Sequence, residues 1–223
     1  KENKMKKLIA IICFSIFAMG SANSGIIAGI SGNIGMLDAK GTESVDGGNS
    51  TADKTEDLEI GFMSVFAEAT LGDNVRVGLS YVPYALESET SENTRNDNCT
   101  HDGASGCTST SNKVQVDVED MASFYLSYYI DNFFFKAGVT SADVVTNESL
   151  ATGSKYGDAS LDGYFVGAGF DAELDSGLFV RSEIALTQYS DIQLDSTGSD
   201  NSNQINVTNL DGMTASVSVG KAF

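Results

Sequence analysis

The chain has 223 residues, a mean hydropathy of −0.08 and a formal net charge of −18 at pH 7. Acidic residues outnumber basic ones by 31 to 13. This balance argues against binding to nucleic acid or to anionic lipid head groups, because both need clustered cationic side chains. It suits a surface that binds cations or that is simply well solvated. The length fits one domain.

The N-terminal segment has the pattern of a secretory signal peptide. Residues 5–7 read Met-Lys-Lys and form a basic start, residues 8–19 form an apolar run, and residues 20–22 form a small-residue cleavage site. We therefore divide the chain into a signal peptide, 1–22, and one domain, 23–223. The apolar run is too short for a transmembrane helix, which needs about 20 apolar residues. The exported domain is then either soluble or a β-barrel, since only helices and closed barrels satisfy their backbone polar groups in lipid.

After the leader, alternating apolar and polar residues predict an all-β domain. We expect eight strands, near 25–38, 58–71, 75–84, 113–130, 133–144, 161–174, 178–190 and 205–223. Three connections are tight and rich in residues that favour turns, namely 72–74, 131–132 and 175–177. Four are long, polar and acidic, and we interpret them as solvated loops: 39–57, 85–112, 145–160 and 191–204.

The lengths of these connections alternate along the chain. Eight strands with three short turns and four long loops leave both termini on the short-turn side. Outer-membrane barrels have this arrangement, with short periplasmic turns and longer extracellular loops. The pattern therefore predicts an eight-stranded antiparallel up-and-down transmembrane β-barrel.

The strand faces follow from the turns. A two-residue turn at 131–132 places Ile130 opposite Phe133, and Leu126 opposite Ala137, so that both strands direct apolar residues to one side. The same holds around the other two tight turns. Within 113–130 the even positions belong to this apolar face, among them Val118 and Phe124. We assign this apolar face to the outside, and tyrosines near strand ends to an interfacial girdle: Tyr81, Tyr84, Tyr128, Tyr164 and Tyr189.

The opposite face carries charged residues near the short-turn end. The register places Asp171 directly opposite Arg181, and Glu68 diagonal to Arg76. Eight strands enclose a space that side chains fill, so charges there have to be paired. We predict ion pairs in the lumen among Glu68, Arg76, Lys136, Asp171 and Arg181, acting as a structural plug. A conducting or proton-relay path is the alternative.

Two cysteines remain after removal of the leader. Cys99 and Cys107 lie eight residues apart in a long loop. Because an exported chain meets an oxidising compartment, we predict a disulfide between them. A metal bound by Cys99, His101 and Cys107 is the alternative, although structural zinc sites normally have four protein ligands. No other metal, cofactor or catalytic residues are predicted.

The last strand ends the chain with strict alternation and a terminal aromatic residue, Phe223. Together with the leader and the strand plan, it resembles the small outer-membrane barrels of the OmpA/OmpX and opacity-protein type. The resemblance implies residence in the outer membrane of a Gram-negative bacterium, in contact with lipid and lipopolysaccharide. It also implies that Phe223, with Val217 and Val219, forms a signal for the barrel-assembly machinery.

Function is less determined than fold. Catalysis finds little support because His101, the only histidine, lies in a long loop. The first hypothesis is a non-enzymatic structural or adhesin-like barrel that presents four acidic extracellular loops. The second is a small pore or transport-assisting channel. The third is a soluble lipocalin-like ligand carrier, which would direct its apolar face inward.

Overall fold

A computed structural model describes residues 25–45, 50–88, 90–95, 110–149, 155–174, 177–198 and 203–223. The predicted signal peptide, 1–22, lies outside these ranges, and so do Cys99, His101 and Cys107. No helix within the described ranges is long and apolar enough to cross a membrane.

The described residues form eleven β-strands, eight of which build one closed barrel. The strands are β1 Ile26–Val45, β2 Ser50–Leu71, β3 Val75–Tyr81, β4 Leu86–Glu87, β5 Ser91–Arg95, β6 Thr110–Ile130, β7 Phe133–Ser149, β8 Ala159–Glu173, β9 Leu178–Tyr189, β10 Ile192–Asp195 and β11 Gln204–Ala222. Neighbours around the barrel are antiparallel in the order β1-β2-β3-β6-β7-β8-β9-β11, and β11 closes on β1. The predicted fold class is confirmed.

The predicted hairpin registers are also confirmed. Ile130 pairs with Phe133 and Leu126 with Ala137 across the turn at 131–132. The turn between β2 and β3 has Gly72 at a φ of 72°, in the left-handed region that glycine adopts without strain. Correct registers matter here because a slip of one residue would reverse the face of every side chain in the hairpin.

The outer surface carries a broad apolar belt. Ile34, Phe133 and Ile184 illustrate it, with exposed fractions of 67%, 62% and 60%. Along β1 the belt runs from Ile26 to Met36, which corresponds to a band about 25 Å tall for a tilted strand. Soluble monomers rarely expose apolar patches of this extent. The belt contradicts the lipocalin-like alternative and fits a hydrocarbon layer.

The strands extend further on the long-loop side than the sequence indicated. Much of the predicted loop 39–57 continues the β1–β2 hairpin, and the predicted loop 85–112 contains β4 and β5. These extensions are formed largely by polar residues. Polar residues can extend a strand because the hydrogen bonds between neighbouring strands are made by the backbone and do not require an apolar side chain. The predicted loops 145–160 and 191–204 are likewise shortened, by β7 and by β10.

One face assignment was wrong, and a β-bulge explains it. Asp120 has a φ of 51°, and the β6–β7 register shifts between Glu119 and Ala122. The extra residue reverses the alternation beyond it. Val118, which simple alternation placed on the outer face with Phe124, instead lines the lumen.

Tyr189 is a second correction. It packs against an inner apolar cluster and does not join the exposed tyrosines Tyr81, Tyr84, Tyr128 and Tyr164. It lies on the same face of β9 as Arg181 and Ala185, so its spacing directs it into the lumen.

Candidate functional site

Arg181 is the centre of a charged cluster in the half of the lumen next to the short turns. Its Nη1 and Nη2 atoms donate to the Glu68 carboxylate at 2.6 and 3.0 Å, and its Nε donates to Asp171 at 2.7 Å. Nη2 also donates to the Tyr129 hydroxyl at 2.8 Å. Arg181 and Glu68 are only 2% and 0% exposed. Four of its five N–H groups therefore have partners, which fix the position of the guanidinium.

Arg76 joins this cluster from β3. Its Nη1 donates to Asp171 at 3.0 Å and to the Tyr129 hydroxyl at 2.9 Å, and it lies 3.8 Å from Glu68. The guanidinium carbon is 3.9 Å from the centroid of the Tyr129 ring, within the range of a cation–π contact. Asp171 thus bridges two arginines from opposite walls of the barrel.

Lys136 forms the third cationic position. Its ammonium donates to Glu183 and lies 4.3 Å from the centroid of the Tyr125 ring. The Tyr125 hydroxyl donates to Glu68 at 2.9 Å, which connects this pair to the arginine cluster. We use the term plug for the charged set together with its two tyrosines: Glu68, Arg76, Lys136, Asp171, Arg181, Glu183, Tyr125 and Tyr129.

The plug balances three cations against three carboxylates. Burying unpaired charges is costly, and removing one member of a buried pair costs about 3–5 kcal/mol. The structure brings together all five residues that the sequence suggested. It adds Glu183, which alternation from Arg181 already places in the lumen, and the two tyrosines, whose hydroxyls extend the network. Asp171 with Arg181 and Glu68 with Arg76 are neighbours within one hairpin, whereas the other contacts, such as Arg181 with Glu68, cross the barrel and are not encoded in any hairpin register.

Aromatic rings close the gaps around the plug by packing on glycines. A Cβ on Gly78 would lie 2.4 Å from the Tyr125 ring, and a Cβ on Gly169 would lie 2.4 Å from the Phe134 ring. Only glycine leaves room for these rings against the neighbouring strand. The short-turn half of the lumen is therefore densely packed.

The other half of the lumen contains a cavity of about 190 Å³. Its floor includes Lys136, Arg181 and Glu183 from the plug, together with hydroxyl-bearing side chains. Its walls are largely apolar. We call this space the outer cavity, and its apolar walls include Leu37, Leu58, Ile60, Phe62, Val82, Leu86, Val118, Met121, Leu161 and Phe165.

Within the part of the chain that the structure describes, the barrel wall is incomplete beside the outer cavity. β3 pairs with β2 only as far as Tyr81 opposite Val65. The next residues stay with β6, since Val82 donates to the Met121 carbonyl at 2.9 Å. Pro83, the only proline of the chain, follows at once and has no backbone N–H to continue the pairing. Among the described residues, β2 has no strand partner on this edge between residues 50 and 64.

We call this interruption the β2–β3 opening. Tyr84 spans part of it, because its hydroxyl accepts a hydrogen bond from the Met63 backbone N–H at 2.5 Å. Leu58 belongs to the inward face of β2 and lines the cavity, yet it is 44% exposed. The opening therefore leaves part of the apolar cavity wall accessible. Met63 and Tyr84 are both exposed on its outer side, at the long-loop edge of the apolar belt.

The remaining predicted site residues have different outcomes. The Phe223 backbone N–H donates to the Ile26 carbonyl at 2.8 Å, and its side chain is 76% exposed at the short-turn end. Its role as an assembly signal stays a prediction, as does the disulfide between Cys99 and Cys107. Among the described residues, no group of three or more His, Cys, Asp or Glu could hold a metal ion.

No family model matches the chain, and no curated protein matches it in sequence. Solved structures do match. The outer membrane protein OprG of Pseudomonas aeruginosa aligns with a TM-score of 0.54 and 12% identity, over 91% of this chain and 96% of that one. The outer membrane protein AlkL, in lipid bilayers, aligns with a TM-score of 0.52 and 14% identity, over 92% of both chains.

The outer membrane protease OmpT of Escherichia coli aligns at a lower TM-score of 0.47, with 12% identity, over 92% of this chain and 99% of that one. This likeness is too distant to bear on catalysis. The two closer likenesses show that the chain has the fold of small outer-membrane β-barrels, as its resemblance to the OmpA/OmpX type implied.

Proposed function

We propose that the protein spans the outer membrane of a Gram-negative bacterium and binds a small apolar molecule in its outer cavity, assisting its transfer to the bilayer. One observation carries the proposal: an apolar cavity lies directly behind an interruption of the barrel wall. The apolar belt supports the membrane location, because it provides the band of outward apolar side chains that hydrocarbon requires. Catalysis has no part in this function.

The plug determines which route the molecule takes. Arg181, Asp171 and Glu68 close the lumen on the short-turn side, and water or ions would have to separate buried charges to pass. Straight passage through the barrel is therefore unfavourable. The β2–β3 opening offers an alternative exit. Leu58 supplies apolar surface on its inner side, towards the cavity, and Met63 supplies apolar surface on its outer side. The protein would assist transport of an apolar molecule without acting as an ion-conducting pore.

Neighbouring residues on β11 provide a matched test. Thr214 lines the outer cavity, and Ala215 points outward to the apolar belt. Thr214→Phe should fill the cavity, whereas Ala215→Phe adds the same ring on the lipid side. We expect Thr214→Phe to slow naphthalene uptake, measured by its fluorescence in porin-deficient cells, and Ala215→Phe to leave it unchanged. Equal uptake by both folded variants and the parent would contradict the proposal.

A surface-interaction role is the second candidate, and acidic residues just beyond the belt favour it. Asp38 on β1 is directly opposite both Asp57 on β2 and Asp211 on β11, and all three are exposed. Like charges placed opposite each other destabilise a sheet, so this row favours contact with a cationic partner. Replacing all three by asparagine should weaken salt-sensitive binding of polylysine to whole cells. Unchanged binding would remove this candidate.

A further inference from the structure

The floor of the outer cavity contains charged groups that a purely apolar molecule could not hydrogen-bond. Lys136 and Glu183 both line the cavity, and their side chains are only 8% and 11% exposed. They therefore form a nearly dry polar pair beneath apolar walls. The inference that follows rests on the proposed function and concerns the kind of molecule that the same cavity binds.

The pair has hydrogen-bonding capacity beyond its own contact. An ammonium group carries three N–H donors, and a carboxylate offers two acceptor oxygens. The contact between them uses one N–H of Lys136 and one oxygen, Oε2, of Glu183. The other lysine contacts are with the ring faces of Tyr125 and Phe134. A donor and an acceptor thus lie side by side at the floor of the cavity.

A hydroxyl group complements this arrangement. Its oxygen accepts a hydrogen bond from the Lys136 ammonium while its own proton is donated to Glu183. Arg181 also reaches the cavity, but four of its five N–H groups are already bound by Glu68, Asp171 and Tyr129, whereas two of the three ammonium N–H groups of Lys136 remain available. The lysine–glutamate pair is consequently the part of the plug that is best suited to a ligand.

The charge balance of the plug disfavours the binding of anionic ligands. The plug contains as many carboxylates as cations, so a bound carboxylate would add an uncompensated negative charge in a nearly dry space. It would also lie close to Glu183. A plain hydrocarbon brings no such charge, yet it leaves the remaining donor and acceptor of the pair without partners. Sites that present hydrogen-bonding groups to a hydroxyl discriminate strongly against analogues that lack it.

The volume of the cavity limits the class of ligand further. The cavity volume of about 190 Å³ is of the same order as an engineered cavity of ~150 Å³ that binds benzene. Leu58, Ile60, Met121 and Phe165 supply apolar walls for a ring or a short chain. We propose that the outer cavity selects small neutral molecules with an apolar body and one hydroxyl group, alcohols or phenols, oriented with the hydroxyl on Lys136 and Glu183.

Methionine methyl groups provide the readout. Met121 lines the cavity, whereas Met63 and Met213 are exposed on the outer face. In lipid nanodiscs with ¹³C-methyl-labelled methionine, a ligand in the cavity should shift the Met121 resonance saturably. Partition into the lipid should shift Met63 and Met213 without saturation. The ligands are p-cresol, p-xylene and 4-methylbenzoate, which share one ring and differ in one group.

We expect p-cresol to bind roughly tenfold or more tightly than either p-xylene or 4-methylbenzoate. The double variant Lys136→Met/Glu183→Leu removes the polar pair without leaving one charge alone. It should lose the preference for p-cresol over p-xylene and retain p-xylene binding. A heat-modifiability gel establishes that the variant is folded. The order of the three affinities on the unmodified protein tests the inference even if the variant does not fold.

The outcomes separate this inference from the proposed function. Saturable binding of p-xylene as tight as that of p-cresol would overturn the hydroxyl selectivity while leaving the apolar cavity as a binding site. Tightest binding by 4-methylbenzoate would overturn it in favour of an anion site. No saturable shift of Met121 with any of the ligands would contradict the proposed function itself.

Discussion

The two halves of the lumen are built from the same strands but have opposite characters. Next to the short turns, six charged side chains and their tyrosine partners fill the space. Next to the long loops, the lumen is lined by apolar residues, including the cluster of Ala142, Leu161 and Leu210, and it encloses a cavity. One barrel thus combines a densely packed, charged base with an apolar cavity above it.

Local breaks in the strand pattern produce this difference. The bulge at Asp120 reverses the face of Val118, and a register shift between Asp38 and Lys40 accompanies a positive φ at Asn209. Pro83 lies two residues beyond Tyr81, the last residue that pairs β3 with β2. Each break lies towards the long loops, whereas the short-turn half keeps an uninterrupted ladder.

The largest effect should come from the end of the closing strand, on which both halves depend. Deleting Phe223 or replacing it by Asp should reduce assembly far more than Phe223→Tyr, because the exposed aromatic side chain is the predicted assembly signal. The heat-modifiable fraction in outer-membrane preparations measures this. Similar assembly of all three variants would argue against a signal at this position.

Breaking the plug should have the next largest effect. Arg181→Met leaves Glu68 and Asp171 without their main partner, which should lower the free energy of unfolding by about 3–5 kcal/mol. Adding Glu68→Leu should recover part of that loss, because the more deeply buried carboxylate is then removed as well. Urea unfolding in lipid vesicles measures both. If the two changes are simply additive, the coupling described here is absent.

Dense packing in the short-turn half predicts a smaller loss of stability when Gly78 is replaced. Gly78→Ala places a methyl group against the Tyr125 ring and should cost about 1–3 kcal/mol through overpacking. Gly32→Ala is the matched control, since a Cβ there meets only the Val217 carbonyl oxygen, at 4.0 Å. The same urea titration compares the two. Equal stability of both variants would contradict the packing.

The smallest effect concerns the long loop 85–112. Cys99→Ser/Cys107→Ser should assemble normally, because the closed hydrogen-bond ladder holds the barrel, but the loop should become sensitive to protease on whole cells. Mass spectrometry of the unmodified protein showing two free thiols would refute the predicted disulfide. Cleavage only after permeabilisation of the outer membrane would place the long loops in the periplasm and reverse the orientation.

The sequence was most informative where strands alternate regularly. The turns at 72–74 and 131–132, the outward apolar belt and the pairing of Asp171 with Arg181 all follow from a period of two. Contacts across the barrel, such as Arg76 with Asp171 or Lys136 with Glu183, could not be derived in this way, because closure brings distant strands together. The inward position of Val118 could not be predicted either, because simple alternation does not indicate the bulge at Asp120.

Pro83 was the available signal for the β2–β3 opening. It lies inside a segment that the sequence predicted as one strand, 75–84, and a proline within a strand indicates an interruption of pairing. The structure ends that strand at Tyr81. The proline alone does not indicate which neighbour the chain leaves. In the structure the chain stays paired with β6 and separates from β2, so the opening forms between β2 and β3.

We expect the plug to close the base of the lumen to ions. Planar-bilayer recording of the purified, folded protein tests this closure, with a variant carrying both Lys136→Ala and Arg181→Ala as comparison. Because an eight-stranded barrel has no room for a water channel once its inward side chains are in place, we predict sporadic or no conductance from the unmodified protein. Steady, cation-selective conductance from the unmodified protein would contradict the account.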